Sequence, residues 1–140
     1  MAARIRRHRE FRPPGWLTVE EPLEIAGAVE RHAAACDIIL LDCLTVWLSN
    51  FCWQYREKDH AALECAALGE VRRMAAAAEA GNVVVVTNEV GCGLVPETAV
   101  GRFFRDLQGF VNQEAARTAD WVYHVVAGIA VPIKQPGARP

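Results

Sequence analysis

Apolar residues along the chain fall into two patterns. Ile38–Leu41 and Val83–Val86 are unbroken apolar runs four residues long, the first rich in β-branched side chains and the second made of nothing else. Such runs favour strands. Elsewhere the apolar positions recur at helical spacing. Leu23, Ile25, Ala26, Val29 and Ala33 form one stripe, with Pro22 suited to a helix start. Leu44, Trp47, Leu48 and Phe51 form another. Residues 61–80 are rich in Ala, Leu, Glu and Arg and read as a helix ended by Gly81. Residues 96–119 predict one long helix, with Gly109 as its point of interruption if it breaks. Residues 121–126 and 130–133 predict two final strands, and 16–20 a short early one. Residues 1–10 read as a short basic helix stopped by Pro13, Pro14 and Gly15, and the tail 135–140 reads as loose.

Strands separated by helices predict an α/β fold with a mostly parallel sheet. Because both apolar runs lack polar alternation, each is expected to be a central strand covered by helices on both faces. Residues 1–134 are expected to form one domain.

Composition narrows the picture only modestly. The 140 residues are 52% hydrophobic and 23% charged, with a formal net charge of −2, as in an ordinary globular domain. There is no general electrostatic case for nucleic acid or for an anionic membrane, and no apolar run reaches the length of a membrane span. Basic residues nevertheless crowd the beginning: Arg4, Arg6, Arg7, Arg9 and Arg12. The five cysteines are odd in number and contain no C-x-x-C pair. Buried, reduced thiols in a cytoplasmic protein are therefore expected. Trp47, Trp53 and Trp121 read as core or interface anchors. His32, His60 and His124 show no ligand spacing.

In an α/β sheet, ligands bind beyond the carboxyl ends of the strands. Two ends carry polar residues: Leu41 leads into Asp42, and Val86 into Thr87, Asn88 and Glu89. Asp42 has two readings. It can be the acidic residue that holds the magnesium of a bound nucleotide, or a plain N-cap of the following helix. Glu89 precedes Gly91 and Gly93, which allow a tight turn and close backbone approach to a ligand, or simply a turn after a strand. His8 sits among arginines. On a helix Arg4 and His8 share a face, which Arg12 extends. Neighbouring cations favour the neutral, nucleophilic imidazole and would stabilise charge on an attacked phosphate. The plain alternative is a solvated surface histidine.

Taken together and in order, these segments resemble the bifunctional adenosylcobinamide kinase/adenosylcobinamide-phosphate guanylyltransferase family of cobalamin synthesis. Ile5–Trp16 (I-R-R-H-R-E-F-R-P-P-G-W) resembles the stretch around that family's guanylylated histidine, and Leu40–Asn50 (L-L-D-C-L-T-V-W-L-S-N) its Walker B region. Thr87–Glu97 (T-N-E-V-G-C-G-L-V-P-E) is the most specific match. Arg102–Asp106, Asn112–Gln113, Ala119–Asp120 and Val125–Lys134 continue it. The resemblance implies a P-loop NTPase-like (RecA-like) fold and two reactions. A nucleoside triphosphate phosphorylates adenosylcobinamide, and GTP then donates GMP through an enzyme histidine to give adenosylcobinamide-GDP. It implies His8 as nucleophile, Asp42 as magnesium ligand, and Glu89 with Gly91–Gly93 lining the nucleotide site. Arg4 and Arg12 join them, by helix spacing, as phosphate contacts. Mg2+, GTP or ATP, adenosylcobinamide and its phosphate are the implied cofactor and substrates, in a cytoplasmic homo-oligomer.

One departure stands out. The family opens with a strand, a G-x-x-x-x-G-K-[ST] loop, a helix and a second strand. No such motif occurs here, and the only lysines, Lys58 and Lys134, do not follow glycine. The expected loss is a unit of roughly thirty or more residues, leaving an edge or apolar face of the sheet exposed. Thr98, where the family often has Asn, and Pro132 in the last strand are smaller departures. Three expectations follow: an enzyme whose recorded start is late, a truncated inactive paralogue acting as a binding or partner module, or an unrelated α/β binding domain.

Overall fold

A computed structural model describes residues 14–137. After an irregular stretch the chain forms α1 (Ile25–His32), β1 (Ile39–Asp42), α2 (Leu44–Gln54), α3 (His60–Ala78) and β2 (Val83–Val86). A 3-10 turn (Val90–Cys92), α4 (Ala99–Thr118), β3 (Val122–Val126) and β4 (Ile129–Lys134) follow. The fold is α/β as expected, and α4 runs unbroken through Gly109.

The core is helical. Leu44 and Leu48 of α2, Ala67 and Val71 of α3, and Leu107 and Val111 of α4 are fully buried. The α2 stripe is thus the one its spacing predicts. The helix α3 lies between α1 and α4. It starts where the Asp59 carboxylate accepts the Ala62 N–H at 2.8 Å, satisfying a helix-start donor that has no partner within the helix. Glu70, buried on α3, accepts the Ala26 N–H at 3.0 Å and so ties the start of α1 to it. Trp47 is buried and its Nε1–H donates to the Leu23 carbonyl at 2.8 Å, giving its one polar atom a partner.

Gly81 follows α3 for a reason other than a left-handed cap. A Cβ there would lie 2.2 Å from the carbonyl oxygen of Ala33. Glycine is what lets the turn into β2 pack against the end of α1.

The strands β1 and β2 pair in parallel, Ile39 opposite Val83 through Asp42 opposite Val86, across the crossover made by α2 and α3. Only one of their faces is covered. Ile39, Leu41, Val83 and Val85 pack on the helical core. Leu40 and Val84 each remain 46% exposed. The expectation of helices on both faces is therefore corrected. Side chains alternate across a strand, and among the described residues the helices pack on one side alone.

The expectation of a single mostly parallel sheet is also corrected. β3 and β4 form a separate antiparallel pair. The two residues between them are Ala127 (φ 52°) and Gly128 (φ 80°), a backbone pattern that reverses the chain with the twist of a hairpin. Pro132, lacking an N–H, sits opposite Tyr123 next to a register shift, on a strand with one neighbour. Lys134 Nζ donates to the Ala116 and Arg117 carbonyls, each at 2.9 Å, anchoring the hairpin to the end of α4.

Of the three tryptophans read as core or interface anchors, Trp47 lies in the core, and Trp53 and Trp121 are exposed. Two smaller readings change. Residues 16–20 form no strand, since they find no backbone ladder among the described residues. The five thiols are free, as expected, but Cys65 and Cys92 are exposed and the other three only half-buried.

Candidate functional site

Because β1 and β2 are in register, their carboxyl ends coincide: Asp42 lies opposite Val86. Beyond Val86 the chain leaves as Thr87, Asn88 and Glu89, so two of the polar strand ends singled out in the sequence meet at one edge.

Asp42 is exposed, and its carboxylate has no hydrogen-bond or ion-pair partner among the described residues. It does not cap α2. The N-cap is Cys43, in extended backbone and without a side-chain capping bond. The plain reading of Asp42 is thereby removed.

Four side chains hold the other strand end. The Thr87 hydroxyl donates to Asn112 Oδ1 at 2.6 Å. Gln108 Nε2 donates to Thr87 Oγ1 at 3.1 Å and to Asn112 Oδ1 at 2.8 Å. Asn112 Nδ2 donates to the Asn88 carbonyl at 3.1 Å, while the Asn88 N–H donates to Thr45 Oγ1 at 3.0 Å. Asn88 is thus gripped by α4 through its carbonyl and by α2 through its amide.

Glu89 turns back on its own loop, where Oε1 accepts the Gly91 N–H at 3.2 Å and caps the 3-10 turn. A Cβ on Gly91 would lie 2.9 Å from that oxygen, so glycine permits the contact. Gly93 has φ −85° and needs no glycine-specific conformation. The loop continues to Thr98, whose hydroxyl accepts the Gly101 N–H at 3.1 Å and caps α4. Arg102 clasps the loop by donating to the Pro96 and Glu97 carbonyls.

An open groove of about 880 Å³ runs beside β1, bordered by Pro14, Trp16, Leu40, Asp42 and Asn50. Residues just after the arginine-rich segment therefore border the same groove as Asp42. His8, Arg4 and Arg12 themselves lie outside the described residues. Among the described residues no three His, Cys, Asp or Glu side chains gather into a metal-holding group. A lone unpartnered carboxylate suits a magnesium ion that takes its remaining ligands from water and phosphate oxygens.

Comparison with known proteins decides the assignment. Residues 1–133 match the family described as cobinamide kinase / cobinamide phosphate guanyltransferase. The chain belongs to this family. It is 40% identical over 142 residues to the bifunctional adenosylcobalamin biosynthesis protein CobU of Escherichia coli (strain K12), covering 96% of this chain and 78% of that protein. The Salmonella typhimurium protein of the same name is 41% identical over 142 residues, with the same coverage. CobP of Pseudomonas aeruginosa, also named a bifunctional adenosylcobalamin biosynthesis protein, is 37% identical over 139 residues, covering 96% of this chain and 75% of its own.

The members of this hydrogen-bond network that sequence reasoning did not single out are Thr45 and Gln108, along with the bonding of Asn112. Gln108 and Asn112 stand four apart, so they share a helix face, and they adjoin the fully buried Leu107 and Val111. Two amides breaking into an apolar stripe were the available signal. No helix among the described residues is long and apolar enough to cross a membrane.

Proposed function

We propose that this chain carries out both reactions of its family. The first transfers the γ-phosphoryl group of a nucleoside triphosphate to the aminopropanol hydroxyl of adenosylcobinamide. In the second, a ring nitrogen of His8 attacks the α-phosphorus of GTP and pyrophosphate leaves. An oxygen of adenosylcobinamide phosphate then attacks the guanylyl phosphorus, the P–N bond breaks, His8 is regenerated and adenosylcobinamide-GDP is formed. Arg4 and Arg12 neutralise charge on the attacked phosphate. Asp42 holds Mg2+, and Glu89 with the Gly91–Gly93 turn lines the nucleotide site. Mg2+, when bound, neutralises phosphate charge during transfer.

The observation that carries this reading is the Asp42 carboxylate, without a partner among the described residues, at the strand end that the Thr87–Gly93 turn shares. It supports a nucleotide at the carboxyl edge of a P-loop NTPase-like (RecA-like) sheet of which β1 and β2 are part. In this reading residues 1–134 act as a partial nucleotide-dependent kinase/guanylyltransferase domain. In this reading the protein works in the cytoplasm as a homo-oligomer.

The test is intact mass of the purified chain after incubation with GTP and Mg2+, beside His8→Ala. A GMP adduct on the wild type, lost in the variant, is the expected result. A second reading is a non-catalytic member that binds cobinamide or a protein partner. A folded wild-type sample that acquires no adduct selects it.

A further inference from the structure

Gln108 is fully buried, and its Oε1 has no hydrogen-bond partner among the described residues. A buried amide with an orphaned oxygen is unfavourable, and an apolar side chain of similar volume would avoid it. Such breaches of packing logic concentrate where function needs them. The rest of that amide's bonding points one way. Its Nε2 serves Thr87 and Asn112, and Asn112 in turn holds the Asn88 carbonyl. The Asn88 amide is fastened to Thr45, three residues beyond Asp42. The network therefore ties α4, the chain leaving β2 and the start of α2 into one unit around the shared strand end.

Resting on the GMP transfer proposed above, we propose that Gln108, Asn112 and Thr87 are positioning residues for the nucleotide. They touch no reacting atom. They fix the Thr87–Gly93 turn relative to Asp42, so that groups from two different strands meet the same phosphates. Their removal loosens the turn without opening the core, because Asn112 is only half-buried and α4 keeps its packing through Leu107 and Val111.

The experiment follows GMP-adduct formation on the full chain with Mg2+ and varied GTP, in Asn112→Leu, Thr87→Val and Thr87→Ser, with thermal midpoints in parallel. The rate at saturating GTP falls roughly ten- to hundredfold in Asn112→Leu and Thr87→Val, the scale of a displacement of about 1 Å around a reacting centre. Thr87→Ser, which keeps the hydroxyl, recovers most of the rate, and thermal midpoints of all three stay within about 4 °C of wild type, the size of a surface change. Unchanged rates in both Asn112→Leu and Thr87→Val overturn the positioning role. A loss of rate that merely tracks a loss of stability, with no recovery in Thr87→Ser, overturns it equally. A wild-type chain that forms no adduct overturns the functional reading instead. Amide exchange across residues 87–93 then judges the clamp alone: faster exchange in Asn112→Leu upholds it, and unchanged exchange overturns it.

Discussion

Adding one methyl group at three different glycines is expected to change stability in opposite directions. A Cβ at Gly81 would meet the Ala33 carbonyl oxygen at 2.2 Å and its carbonyl carbon at 3.0 Å. The first distance is about 1 Å short of an ordinary C···O contact. Both neighbours are backbone atoms at the end of α1, where Ala33 is itself buried, so no side chain can swing aside. Overpacking of this kind costs about 1–3 kcal/mol. The reduced freedom of the unfolded chain offsets about 0.4–1 kcal/mol of that. The net expectation for Gly81→Ala is a loss of about 1.5 kcal/mol. With an unfolding entropy of about 2.1 cal/mol/K per residue, 140 residues give ~0.3 kcal/mol/K, so the midpoint falls by about 5 °C. Gly69 in α3 and Gly109 in α4 have nothing within 4 Å of an added Cβ. Alanine there removes a helix-interior penalty of about 0.8–1 kcal/mol, and each midpoint rises by about 3 °C. Thermal unfolding followed by circular dichroism, checked by urea midpoints, reads all three. A Gly81→Ala protein as stable as wild type would refute the close approach of α1 to the turn before β2.

Two further outcomes rest on other contacts. Ala127 holds a left-handed backbone, φ 52°, which costs a residue with a Cβ about 1 kcal/mol. Ala127→Gly or Ala127→Asn should therefore raise the urea midpoint, and a lower midpoint in both would contradict the hairpin geometry. The Glu114 carboxyl is held below its ordinary range, chiefly by the hydrogen bond from Arg72, with Arg117 adding to it. A carboxylate whose folded pKa is depressed contributes stability that is present above its unfolded value. That contribution is lost as pH falls through the folded value. Urea midpoints measured from about pH 6 to about pH 3 should thus fall less steeply in Glu114→Gln than in wild type. Parallel slopes would show that Glu114 is not part of the acid response.

The helices were legible because their apolar residues face a common core. Leu44, Trp47, Leu48 and Phe51 recur at helical spacing and all four are buried. The Val83–Val86 run declared its strand by composition, and the Asp42 and Glu89 strand ends stood out as polar residues following apolar runs. The clamp was not legible in the same way. Gln108 and Thr45 lie 63 positions apart by number (108 − 45), and no local pattern relates them.

By itself, then, the sequence determined the helices and strands from Ile25 to Lys134, though not the absence of a strand at 16–20, and through its ordered motifs the family, because both are written in local spacing and side-chain type. It could not say which face of β1 would be covered. A four-residue apolar run looks the same whether one face or two are packed, and only the placement of the helices distinguishes them. Nor could it foresee that the last two strands would pair with each other. That was settled at Ala127 and Gly128, where two positive φ angles turn the chain back on itself. The union of Asp42 with the Thr87–Asn112 network was likewise tertiary, because hydrogen bonds between residues distant in sequence exist only once parallel register has aligned the strand ends.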